Sequence, residues 1–152
     1  MRFSLFLGVS SVESLRASLE REGVRTNAYA AVLFPSVSIA EVPRTVVVDV
    51  RTIGGHGLSE GATLDVLLAH VAARGFSAAP LEAAIALRLA WRALDGARVT
   101  VVSPRPTQDE SAPRGFYLRD DDEGRWLRAF VASDDWVFTP DERVALVVDE
   151  SA

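Results

Sequence analysis

The sequence predicts a single α+β domain in which a mixed, mostly antiparallel sheet packs with about three helices. Three stretches carry that expectation. Ser77 to Ser103 runs from an apolar helix into a β-branched strand. Thr45 to Ile53 is a near-continuous valine run, as suits a strand covered on both faces. Gly115 to Arg119 and Arg125 to Val131 flank the acidic turn Asp120 to Gly124, which is hairpin chemistry. With 152 residues the chain can bury a sizeable core without staples, and having no Cys it has no disulfides.

Taken in order, Phe3 to Val9 reads as a strand with Phe3, Leu5, Leu7 and Val9 on one face. Ser10 and Glu13 have capping-box spacing, and Val12, Leu15 and Leu19 form the seam of a helix that Gly23 ends. Thr26 to Pro43 lacks a clear period; Val37, Ile39 and Val42 alternate as a short strand would. In the valine strand Asp49 is expected to be paired or to face an edge. Gly54 to Gly61 is a Gly-rich loop, with Ser59 as the expected N-cap of a helix carrying Leu64, Leu67, Leu68 and Val71. Pro80 suits a first helical position. The helix after it is apolar over a wide arc, leaving Arg88, Arg92 and Asp95 as its solvated stripe, and Asp95-Gly96 as its stop. After the strand Arg98 to Ser103, the polar, Pro-punctuated stretch Pro104 to Pro113 is expected to be mobile. Beyond the hairpin come a turn at Ser133 to Asp135, a core Trp136, one helical turn at Thr139 to Glu142, and the strand Arg143 to Asp149.

Composition narrows the function. The net charge of −5 argues against nucleic acid, whose phosphates demand a basic surface. All sixteen basic residues are Arg, which excludes a Schiff-base or P-loop lysine. No apolar run approaches the ~20 residues of a membrane span. The start has one Arg and a short apolar run but no small-residue cleavage pattern, so the expected location is cytoplasmic.

From Phe3 to Val148 the order of parts resembles a group of small uncharacterised bacterial proteins. The corresponding residues are Leu58-Ser59-Glu60-Gly61-Ala62 at a helix start, and Gly75-Phe76-Ser77-Ala78-Ala79-Pro80-Leu81-Glu82 at a link. Val99 to Ser103 matches the strand, Tyr117-Leu118 and Gly124-Arg125-Trp126-Leu127 the hairpin, and Trp136 with Arg143 to Val147 the close. Pro80 stands where the group has a capping Thr, and Ser77-Ala78-Ala79 where it has Arg-Pro-Ala. The C-terminal half is also similar to a C-type-lectin-like domain, in which a helix precedes strand pairs and a late Trp. These resemblances imply an architecture and no activity.

Two regions are candidates for function. Gly54, Gly55, His56, Gly57 and Ser59 offer backbone amides near a helix start, and an imidazole, to a phosphate or carboxylate. The same loop is more simply explained as a strand-to-helix turn, and it has neither dinucleotide-binding nor P-loop spacing. Tyr117, Arg119, Arg125, Trp126 and Trp136, with Arg114 and Arg128, have the composition of an interaction surface. His56 and His70 lack metal-ligand spacing, and the acidic turn lacks the calcium-loop order, so neither a metal nor a cofactor is expected. No catalytic residue stands out. The expected function is a non-catalytic binding domain for a protein partner or for self-association. The alternative is a small enzyme or sensor for an anionic ligand held at Gly54 to Gly61.

Overall fold

The computed structural model describes residues 1–149. It has eight strands and four α-helices: β1 (Arg2–Leu7), α1 (Val12–Arg21), β2 (Val24–Thr26), α2 (Ala28–Leu33), β3 (Arg44–Thr52), α3 (Leu64–Ala72), β4 (Phe76–Ser77), α4 (Leu81–Ala90), β5 (Val99–Val101), β6 (Gly115–Asp121), β7 (Gly124–Phe130) and β8 (Arg143–Val148). The strands form one sheet in the order β1-β3-β8-β5-β6-β7-β2, with β4 pairing the far end of β8 beyond β5. The β5·β8 and β2·β7 pairings are parallel and the others antiparallel. The α+β class and the mixed, mostly antiparallel sheet are as the sequence indicates.

Alternation along the strands sends apolar side chains to both faces. On one face Leu5, Leu7, Val46, Val48, Val50, Val99, Val101, Phe116, Leu118, Leu127 and Ala145 meet α1, α2 and α4. Helix α4 touches both β1 and β6, which have three strands between them, so the sheet curls around it. On the other face Val144 and Leu146 of β8 pack with Ile53, Val102, Phe138 and the α3 residues Leu64, Leu67 and Val71. Each fully buried Val, Leu, Ile or Phe among them contributes about 1.5–3 kcal/mol.

The helix ends differ in detail from the sequence expectations. Helix α1 is capped by Ser11, one residue after Ser10, through Ser14 N–H to Ser11 Oγ at 3.0 Å. Pro80 is the N-cap of α4, in extended conformation, instead of its first helical residue. The helix stops at Ala90, four residues before Leu94, because Trp91 turns extended and the chain crosses to β5. Arg88 is fully buried, where a solvated stripe was expected. It donates to Asp120 Oδ1 (2.7 Å) and to the carbonyls of Trp91 (2.7 Å), Arg92 (3.2 Å) and Trp126 (3.3 Å). One guanidinium thus takes up the carbonyls that the helix end leaves open and ties them to the hairpin.

Residues 37–42 form no strand, and the apolar residues before them make α2 instead. Asn27 explains that helix. Its Oδ1 caps the helix from Ala30 N–H (2.9 Å) and also accepts from Ala129 N–H (3.0 Å), while its Nδ2 donates to Ala129 O (3.1 Å). One side chain therefore starts α2 and continues the β2·β7 ladder by a further pair. Buried Glu82 has a comparable task, accepting from Gly8 N–H and Ala40 N–H, each at 2.9 Å. It clamps the β1–α1 turn against the 37–43 segment. Thr139 to Glu142 is a turn without helix, closed by Glu142 N–H to Thr139 O (3.2 Å) and Thr139 N–H to Glu142 Oε2 (2.7 Å).

Candidate functional site

The Gly54–Gly61 loop begins as one turn of 3₁₀ helix, Gly54–His56, closed by Gly57 at φ +94°. Most of its amides point inward. Gly54 N–H donates to Pro140 O (2.8 Å), Gly55 N–H to Thr52 Oγ1 (2.9 Å), His56 N–H to Ile53 O (3.0 Å) and Gly57 N–H to Gly54 O (2.9 Å). Helix α3 starts only at Leu64, too far along the chain for Ser59 to cap it; Thr63 does so, accepting from Val66 N–H at 3.2 Å. The glycines serve a tight packing turn, so an anion meets few free donors here.

His56 itself is sealed in, with 1% of its surface exposed. Its ring stands edge-on to Phe76, 5.1 Å between centroids, and neither ring nitrogen has a partner among the described residues. Its carbonyl lies 2.8 Å from His70 Nε2. On β3, buried Asp49 pairs with Arg51 (2.7 and 2.8 Å) and, across the β1 register, with Arg2 (3.1 Å). Asp49 is thus the paired strand carboxylate that the sequence suggested. Burial raises the pKa of Asp49, but the two arginines outweigh it and hold the carboxyl below 3.8.

Burial lowers the pKa of His56 below 6.5; Arg51, and behind it Arg74 and His70, add to this, while Asp49 opposes. An imidazole that resists protonation when folded but accepts a proton near 6.5 when unfolded stabilises the fold fully above that pH. The contribution is lost as pH falls below it, at no more than about 1.4 kcal/mol per pH unit. Urea unfolding from pH 7.5 to 5.0 is expected to show this slope in the native chain and its reduction in His56→Leu. Parallel curves for the two proteins refute it.

The predicted interaction residues do not form one surface. Tyr117 is buried beneath the Arg98 guanidinium, 4.7 Å from the ring centre. Trp126 is buried too, with Arg128 at 3.9 Å and Arg25 at 5.0 Å from its ring and its Nε1–H on Asp121 Oδ1 (2.9 Å). Arg125 donates to Glu22 O and to Arg92 O (3.1 Å), and Arg119 lies exposed beside Asp121. These side chains brace the hairpin against α1, β2 and the end of α4. Trp136 is the exception. The sequence places it in the core, yet it is 58% exposed, and core Phe138 fills that place two residues later. Only one of the two aromatic rings is taken into the core at this turn, and the Ala62–Phe138 bridge fixes which.

The Trp136 turn lies near a polar cluster that sequence reading divides among separate loops. The bridge between Ala62 and Phe138 joins it to the exit of the Gly-rich loop. Asp134, two residues before Trp136, accepts at Oδ1 from Arg105 and, at 3.5 Å, from Arg114, whose other terminal nitrogen lies 3.6 Å from Asp65. Asp134 N–H donates to Glu110 Oε1 (2.7 Å). Arg105 and Arg114 bracket the Pro104–Pro113 connection, and an Arg beside each terminal Pro is the signal that could have paired them.

No family model, curated protein or solved structure matches the chain. Among the described residues, no group of three or more His, Asp and Glu is arranged to hold a metal, and no helix is long and apolar enough to cross a membrane.

Proposed function

We propose that the chain is a non-catalytic binding domain that engages a protein partner through the Trp136 turn. The exposed indole carries this reading. Trp is the largest apolar side chain and a frequent anchor at interfaces, and here it is displayed next to half-exposed Val137 on a backbone held by built contacts. Trp136 N–H bonds Ser133 O (3.2 Å), Ser133 Oγ–H bonds Asp135 (2.6 Å), and Asp134 is tied to Arg105 and Glu110. A turn whose backbone is already fixed loses little backbone entropy on binding. The histidines also favour binding over catalysis, since His56 is sealed and His70 is engaged with a carbonyl.

Trp136→Ala is the test. The side chain contributes little to the core, so the variant should keep its stability to within about 0.5 kcal/mol. A partner captured by the native chain and then purified should bind Trp136→Ala at least about 30-fold more weakly, the loss of a central aromatic anchor. Equal affinity for both proteins overturns the reading, as does a native chain for which every captured species is retained by the variant.

A further inference from the structure

The arginines behind that turn carry an inference independent of the protein-binding reading. Two buried guanidiniums, Arg88 and Arg114, are satisfied to very different degrees. Arg88 makes four hydrogen bonds of 3.3 Å or less. Arg114 is 5% exposed, and its side chain has only the 3.5 Å contact to Asp134 and the 3.6 Å approach to Asp65, both longer than the 2.7–2.9 Å of a charge-assisted bond. Its Nε–H has no partner among the described residues, as is also true of Arg88, so the difference between the two lies in their terminal nitrogens. A desolvated cation left in that condition is costly, and such a group calls for an explanation.

Its surroundings supply one. Seven buried side-chain nitrogen or oxygen atoms lack a partner among the described residues, and three of them are Arg114 Nε, Arg105 Nη1 and Ser103 Oγ. Ser103 lies two residues beyond the end of β5, and Arg114 one residue before the start of β6, the strand antiparallel to it. Arg105 is placed with them by Asp134, since one carboxylate oxygen, Oδ1, contacts both guanidiniums. The two cations therefore converge on a point that an anionic oxygen can occupy. Asp134 and Asp65 are themselves exposed, so the acids lie at the solvent side of the cluster.

We propose that Ser103, Arg105 and Arg114 bind a phosphate-type oxyanion, for which the Asp134 carboxylate is the internal stand-in. Displacing Asp134 releases one terminal nitrogen on each arginine. Together with the unpartnered Arg105 Nη1 and Ser103 Oγ this makes four donors from three residues, which suits the three oxygens of a phosphate group better than the two of a carboxylate. The ligand is either free phosphate or a small phosphate monoester, since both present the same oxygens.

Calorimetry and thermal unfolding with sodium phosphate, sodium sulfate and glycerol phosphate, each against sodium chloride at equal ionic strength, test the site in the full chain. Saturable stabilisation by phosphate or by the monoester, absent with chloride, is expected, and the better of the two identifies the source. Arg105→Gln should weaken binding at least tenfold without unfolding the chain. Asp134→Asn, which removes the competing carboxylate, should tighten it several-fold. Chloride-like behaviour of both phosphates overturns the proposal. So does phosphate binding that persists in both Arg105→Gln and Ser103→Ala, or that weakens in Asp134→Asn. Trp136→Ala should leave phosphate binding intact, so this site and the protein-binding surface can fail separately.

Discussion

Replacing Arg88 by alanine is expected to destabilise the chain by about 3–5 kcal/mol, the range for breaking a buried ion pair by removing one partner. The guanidinium lies wholly inside the protein between α4 and the hairpin, and four acceptors converge on it. Its removal opens a cavity and leaves the Trp91, Arg92 and Trp126 carbonyls without this donor. It also strips Asp120 of its counter-charge, and Asp120 Oδ2 holds Leu94 N–H at 2.8 Å. Arg88→Met separates the causes. Methionine refills the volume but donates nothing, so it should recover part of the loss and remain below the native chain. Urea midpoints of the native chain, both variants and Asp120→Asn measure this. Native-like stability of Arg88→Ala rules out the bracing role.

Gly61→Ala is the second large effect, expected to cost at least about 3 kcal/mol through backbone strain and steric overlap. Gly61 sits at φ +84°, which a Cβ disfavours, and that Cβ would be forced onto the Phe138 carbonyl oxygen. This oxygen is not free to move. It accepts from Ala62 N–H at 3.0 Å, while Phe138 N–H donates to Ala62 O at 2.8 Å. Gly75→Ala is the control, because Gly75 has almost the same dihedral, φ +86°, with nothing within 4 Å of where its methyl group would lie. Only the conformational penalty of about 1–2 kcal/mol applies there. If both substitutions cost the same in denaturant unfolding, the close approach at Phe138 contributes nothing. If Gly61→Ala also shifts the Trp136 turn, partner binding should weaken with it.

The sequence is most legible where one signal decides an element. The valine run of β3, the hairpin and β8 follow from β-branched residues and turn chemistry, and the class of fold follows from them. Helix α2 is hidden because apolar residues lie on both its faces: Ala30, Leu33 and Phe34 are buried at helical spacing, but Tyr29 and Val32 are exposed and blur the pattern, and the helix depends on Asn27 reaching Ala129, about a hundred residues away. Arg88 misleads for a related reason. A charged residue on a helix arc ordinarily faces water, and the arrival of Asp120 from β6, together with three backbone carbonyls, makes its burial tolerable. Of the site regions, the glycine loop and Trp136 can be singled out by residue type. Their environments cannot, since the loop's amides are consumed by Pro140, Thr52 and Ile53, and the indole's exposure depends on which of Trp136 and Phe138 enters the core. The Ser103, Arg105 and Arg114 cluster is the least legible, as it depends on the pairing of β5 with β6 and on one distant carboxylate.

The position of β8 has a consequence for how the chain must fold. It lies between β3 and β5, and no other strand among the described residues joins the β1-β3 pair to the β5-β6-β7-β2 block. Yet β8 is the last of the eight strands to be synthesised. Until it docks, β3 and β5 each present an open edge, and Val144 and Leu146 are missing from the core beneath α3. Loop closures of this length are slow, and paired fragments with bare edges are prone to join neighbouring chains. Until β8 emerges during synthesis, no described strand can unite the two parts of the sheet, so β8 is the strand on which closure of the whole sheet waits.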